Sequence, residues 1–189
     1  IDLVDFVKEK FYIICFPEKH FSNVLAQNKK FAFLYDKLSD SESRNLLIDL
    51  LAYRHMGFKK IKLSRNNAAY WAGIEKAKKL CTNVPPIHIP FLTWPLYCFD
   101  LNPIGFPFKI HAYAQAVAIN FIQKQYVFER NGVFCKAEEG DVVIDAGGCW
   151  GDTSLQFAYQ AGKKGHVYVF EFVPSNLKVM QENFKINLK

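Results

Sequence analysis

The stretch VVIDAGGCWGDTSLQFA, residues 142–158, constrains this chain more than any other. A short β-branched run leads into a turn holding Gly147, Gly148 and Gly151, with Asp145 before it and Asp152 after it. Such a run, bounded by glycine, has the character of a buried parallel strand. DTSLQFAYQAG then predicts a helix, capped at its start by Asp152 or Thr153 and stopped by Gly162. HVYVFEF predicts a second buried strand. PSNLKVMQENFKIN predicts a second helix, with Pro174 at its first position and Leu177, Met180 and Phe184 along one side. The order β-α-β-α predicts an α/β fold with a parallel, doubly wound sheet.

In open α/β sheets the ligand lies at the carboxyl ends of the strands, where the turn after the first strand meets it. A dinucleotide would need G-x-G-x-x-G and a bare helix start for its pyrophosphate. Registered on Gly147, this chain has Cys149 at the second glycine position and Asp152 at the third. A carboxylate there repels a pyrophosphate. S-adenosylmethionine carries no phosphate but a sulfonium, an ammonium and an adenosine. Gly147, Gly148 and Gly151 permit close backbone approach to it, and Asp145 and Asp152 suit its positive charges. Glu171, 24 residues after Gly147, ends the second strand, where a carboxylate can accept both ribose hydroxyls.

Upstream, the chain changes character. The amino-terminal IDLVDFVKEKFYIICF suits an amphipathic helix with Leu3, Phe6, Val7, Phe11 and Ile14 near one face, rather than a signal peptide. LSDSESRNLLIDLLAYR predicts a helix capped by Ser39, Asp40 or Ser41, with Leu46, Leu47, Leu50, Leu51 and Tyr53 on its apolar face. A further helix is predicted across AAYWAGIEKAKKL. Prolines 85, 86, 90 and 95 then forbid a long helix, and LYCFDL and FPFKIHAY flank NPIG as the arms of a hairpin. AVAINFIQKQYVF returns to helical character. The division expected is a helical region over residues 1–96 and a hairpin plus nucleotide-binding sheet over 97–189.

Composition narrows the function classes. With 50% apolar residues the chain has ample core material, and no apolar run approaches the ~20 residues of a membrane span. Cys15, Cys81, Cys98, Cys135 and Cys149 are scattered and odd in number, which fits reduced cytoplasmic thiols rather than disulfides or a zinc site; no metal is expected. The net charge of +6 arises before His111, in FKKIKLSR and EKAKKL. It fits solvated helix faces or a surface for an anionic partner. No nucleic-acid motif accompanies it.

The sequence also resembles the FkbM-type S-adenosylmethionine-dependent methyltransferases. GDVVIDAGGCWGDTSLQFA and VYVFEFVPSNLKVMQENFKIN are similar to that family's first two motifs. DLNPIGFPFKIHAY is similar to the lead-in of one branch, and LSDSESRNLL to its upstream helical region. The resemblance implies a class I methyltransferase fold, with Asp145, Gly147, Gly148, Gly151 and Asp152 facing the cofactor together with Glu171, and with Thr153 and Phe172 as neighbours. It implies O-methylation of a hydroxyl on a sugar, glycan or secondary metabolite. It also implies more strands than the two after Asp141, so the expectation is an incomplete sheet with uncovered apolar faces, inactive by itself.

The remaining residues leave alternatives open. His111 and His88 are candidates for a general base, with structural roles as the competing reading. Tyr126 lines the pocket or packs in the core. Cys149 is a small filler rather than a nucleophile, and Trp150 packs on the turn. Trp71, Trp94 and Tyr97 are core aromatics or a sugar-stacking surface. Two other classes compete with the enzyme: a non-catalytic S-adenosylmethionine-binding module, and an NAD-dependent oxidoreductase with a degenerate turn.

Overall fold

The computed structural model describes residues 28–90, 92–130 and 132–188. They fall into two compact units, one ending at Asn67 and one beginning at Ala68. The amphipathic helix expected at the amino terminus lies outside the described residues.

The first unit contains α1, Asn28–Lys37, and α2, Ser41–Met56. Asp40 is the N-cap of α2, its Oδ1 accepting from the Ser43 amide at 2.8 Å and its Oδ2 from the Ser43 hydroxyl at 2.9 Å. Arg54 occupies the last turn, where its positive charge meets the negative helix end. Gly57, at φ 80°, ends the helix and donates to the Tyr53 carbonyl. The buried face is Ile48, Leu51 and Ala52, whereas Leu46 and Leu50 are exposed. The predicted face is therefore rotated. Apolar residues, Ile48, Ala52 and Met56 with the leucines, run round most of this helix, so packing rather than periodicity selects which side is covered.

The second unit starts with α3, Ala68–Lys78. Its Ile74 and Ala77 enter one core with Phe99, Phe108, Ile110, Val117 and Phe121. This helix and the proline-rich stretch after it thus belong with the hairpin, and the unit begins at residue 68 instead of 97. The hairpin pairs β1, Tyr97–Asp100, with β2, Lys109–Ala112, from Tyr97↔Ala112 to Asp100↔Lys109. Its turn carries a 3-10 segment, Asn102–Ile104, and is closed by Gly105 at φ 93°. Asp100 Oδ1 accepts from the Asn102 amide and side chain, at 3.0 and 2.7 Å.

The helix after the hairpin, α4, Ala114–Val117, widens into a π-helical stretch, Ala118–Ile122. A second hairpin follows, β3, Phe128–Arg130, with β4, Val133–Cys135. Its sequence signal is Asn131-Gly132, a two-residue hairpin dipeptide, which the helical character of the preceding stretch masks.

The last segment forms as predicted: β5, Val142–Ala146; α5, Asp152–Ala161; β6, His166–Phe170; and α6, Pro174–Lys185. β5 and β6 are parallel, from Val142↔His166 to Ala146↔Phe170. The chain is thus α/β, with small sheets that include one parallel pair. Tyr159 of α5 sets its ring 5.7 Å from Phe106, which seats the helix on the hairpin core. The strands are not buried on both faces. Val142, Ile144, Tyr168 and Phe170 are 69%, 68%, 52% and 61% exposed, whereas Asp145 is buried. The two-residue period explains this: α5 and α6 cover only the face that carries Asp145 and Val169. No described helix is long and apolar enough to cross a membrane.

Candidate functional site

The site is assembled where β5 and β6 end together. The Gly147 and Gly148 amides both donate to the Phe170 carbonyl, at 2.8 and 3.1 Å. These bonds bring the glycine turn against Glu171, the residue after β6. Gly147 takes φ 88° and Gly151 takes φ 78°, the left-handed region that glycine enters without strain.

The three glycines do different work. A Cβ built on Gly147 would meet nothing within 4 Å, so this residue faces open space. One on Gly148 would come within 2.4 Å of Val169 Cγ1 and 3.2 Å of Met180 Cε. One on Gly151 would lie 2.8 Å from both Met180 and Phe184. Gly148 and Gly151 therefore let α6 close on the turn, and the opening belongs to Gly147.

The carboxylates are held in place by neighbours. Asp145 Oδ2 accepts from the Thr153 hydroxyl at 2.9 Å and the Ser154 hydroxyl at 2.6 Å, beneath the first turn of α5. Asp152 is not the N-cap; that position is Gly151, and Asp152 is the first helical residue. Its buried Oδ2 accepts from Asn120 Nδ2 at 2.8 Å. Burial pushes the Asp152 carboxyl above its ordinary value, against the opposing pull of the Asn120 hydrogen bond. Glu171 is at the surface. Its Oε1 accepts from the Val173 and Phe172 amides, both at 2.7 Å, and its Oε2 from Asn176 Nδ2 at 3.2 Å. The Val173 amide leads in holding this carboxyl below its usual range.

Other residues complete the surroundings. Tyr126 stacks edge-on against Phe157 at 5.2 Å, and burial followed by the charges of Asp145 and Asp152 raises its phenol. Cys149 holds φ 45° in the turn. Burial, then Asp152 and Glu171, push its thiol up to about 11, so it is no nucleophile at neutral pH. Trp150 donates from Nε1 to Asn176 Oδ1 at 3.2 Å and meets Tyr113 edge-on at 5.3 Å. It packs on the turn, as expected. Phe172 is 90% exposed.

Of the predicted site residues, Gly147, Glu171 and Phe172 thus lie on the open side, while Asp145, Gly148, Gly151, Asp152 and Thr153 form the support beneath. His111 is buried against Asn183, and His88 is exposed in a cleft beside Ser175 and Lys178 at the start of α6; neither is presented at the turn as a base. Trp94 and Tyr97 line one cleft, which Trp71 does not join. Asn120 escaped sequence reasoning, because nothing local links it to an aspartate 32 residues later. Among the described residues no cluster of three His, Cys, Asp or Glu is placed to hold a metal ion.

The arrangement has one chemical consequence. Asp145, Asp152 and Glu171 surround a single turn, and no described lysine or arginine pairs with any of them. Comparison with protein-family models, with curated proteins and with solved structures finds no match for this chain.

Proposed function

We propose that the chain is an S-adenosylmethionine-dependent methyltransferase of the FkbM type, with β5-α5-β6-α6 as the βαβα unit of a class I, doubly wound domain. The observation that carries this reading is the convergence of three carboxylates on the glycine turn with no basic partner among the described residues. Such a site repels a pyrophosphate and favours a cation. It speaks against the NAD-dependent alternative for the same reason.

The residues fit the cofactor by their donor set. The open side of Gly147 leaves room for the cofactor's backbone-hugging portion. Glu171 Oε2 accepts one hydrogen bond from Asn176, so lone-pair capacity remains for ribose hydroxyls. Asp152, fixed by Asn120, and Asp145, fixed by Thr153 and Ser154, supply negative charge without moving. The bound cofactor would supply an activated methyl group for a hydroxyl of a sugar, glycan or secondary metabolite. The protein's part is orientation and exclusion of water. A hydroxyl acceptor also needs somewhere to lose its proton, and no side chain is assigned to that role.

Calorimetric titration with S-adenosylhomocysteine tests the reading, with NAD and a Glu171→Gln variant as controls. Glutamine keeps an acceptor for the Val173 and Phe172 amides, so α6 stays anchored. The expected result is binding by the wild type, at least tenfold weakening (about 1.4 kcal/mol) in the variant, and none with NAD. Preference for NAD, or binding indifferent to Glu171→Gln, overturns it.

A further inference from the structure

A cleft of about 650 Å³ lies between α3, β1 and the start of α4, within the size range of small-molecule sites. Trp94, Tyr97, Phe99 and Tyr113 wall it, and Lys78 and Gln115 stand at it. Two of these rings are presented rather than tucked away. Trp94 is 69% exposed and Tyr97 47% exposed, while Leu96 between them is fully buried. Pro95 stiffens the same stretch. The Tyr113 hydroxyl donates to the Trp94 carbonyl at 3.1 Å, tying the two walls together. Large apolar rings held open in this way leave burial unrealised until something flat covers them, and little ordering is needed on binding.

Among the described residues, Lys78 is the one charged side chain that lines the cleft. Its ammonium meets Glu75 at 2.6 Å, yet both side chains are more than half exposed, and such solvent-screened pairs within one helix are weak. A carboxylate seated beside the aromatic walls would compete well for that ammonium, from a position with less water around it.

We propose that this cleft binds a flat aromatic carboxylate, its ring against Trp94 and Tyr97 and its carboxylate on Lys78. The cleft also adjoins the turn: Tyr113 touches Trp150, which bonds Asn176, which bonds Glu171. The binding does not depend on the methyltransferase reading.

The test is calorimetry on the full chain without cofactor, using 2-naphthoate as probe, 2-naphthalenemethanol as its uncharged counterpart and methyl β-glucopyranoside as a sugar. The variants are Trp94→Ala, Lys78→Met and Glu171→Gln, the first two at exposed positions where loss of folding is not expected. Saturable naphthoate binding is expected, weakened about tenfold in Lys78→Met and lost in Trp94→Ala. The alcohol should bind about as weakly as naphthoate does to Lys78→Met, and Glu171→Gln should bind naphthoate normally. Absence of naphthoate binding, equal binding of the alcohol, preference for the pyranoside, or indifference to Trp94→Ala each overturns the proposal. Failure of the cofactor titration would leave this result standing, so the two readings fail separately.

Discussion

Asn183 on α6 clamps His111 on β2 through both backbone groups: its Oδ1 accepts from the His111 amide at 2.6 Å and its Nδ2 donates to the His111 carbonyl at 3.1 Å. The same Nδ2 reaches the Trp150 carbonyl at 2.9 Å. One turn later Asn187 does likewise to Lys109, at 2.8 and 2.7 Å. Lys109 and His111 point their free backbone groups outward from the β1–β2 pair, so α6 satisfies an edge that a strand would otherwise fill.

Asn183 is fully buried, which sets the cost of losing it. Asn183→Leu leaves three backbone groups without partners and should destabilise the chain by about 2–4 kcal/mol. Asn187→Ala, at a half-buried site, should cost about 1 kcal/mol. Urea unfolding of both variants checks the order; equal, small effects would mean that water replaces the clamp.

The turn glycines separate packing from access. Gly148→Ala forces a methyl group onto Val169 and Met180 and should cost about 2–3 kcal/mol. Gly147→Ala meets open space and bears only the left-handed backbone penalty, about 1–2 kcal/mol. Thermal melts should therefore rank Gly148→Ala the less stable. Gly147→Ala should still fold yet lose S-adenosylhomocysteine binding, because its methyl group occupies the approach.

Local chemistry explains which parts of this fold were legible. The Asp40 cap, the Gly162 stop, the NPIG turn and the β-branched runs at 142–146 and 166–170 act within a few residues, and each element they predict is present. The clamp from Asn183 to His111 spans 72 residues, and the Asn120–Asp152 bond spans 32; no local pattern encodes either. The same limit applies to the glycines. Their presence marked the turn, but only the positions of Met180, Phe184 and Val169 decide which of them faces a ligand. The rotated face of α2 and the open faces of β5 and β6 likewise depend on what covers them rather than on periodicity.

Thiol chemistry should distinguish Cys149 from its counterparts. Cys81 and Cys135 are exposed and should alkylate readily with iodoacetamide at mildly alkaline pH. Cys149, with its thiol pushed up to about 11, should label only as the pH nears that value. Peptide mass mapping across a pH series reads this directly. Because Glu171 contributes to the shift, Glu171→Gln should move Cys149 labelling to lower pH; an unmoved profile would mean the carboxylate does not act on the turn.

Asp152 should show a conflict between stability and binding. Its carboxyl is raised above the ordinary aspartate value of about 3.9, so the folded chain holds that proton more tightly than the unfolded chain. The stability this contributes is fully present below the ordinary value and is lost as pH rises through the raised one. Asp152→Asn keeps an oxygen for Asn120 Nδ2 and removes the buried charge. The variant should therefore melt at higher temperature than the wild type at neutral pH, with the difference closing as pH falls below the ordinary aspartate range. Its affinity should fall more for S-adenosylmethionine than for uncharged-sulfur S-adenosylhomocysteine, about tenfold for the former, because the sulfonium loses a negative charge held beneath the turn. Equal loss for both ligands would assign Asp152 to shaping the turn rather than to meeting the cation.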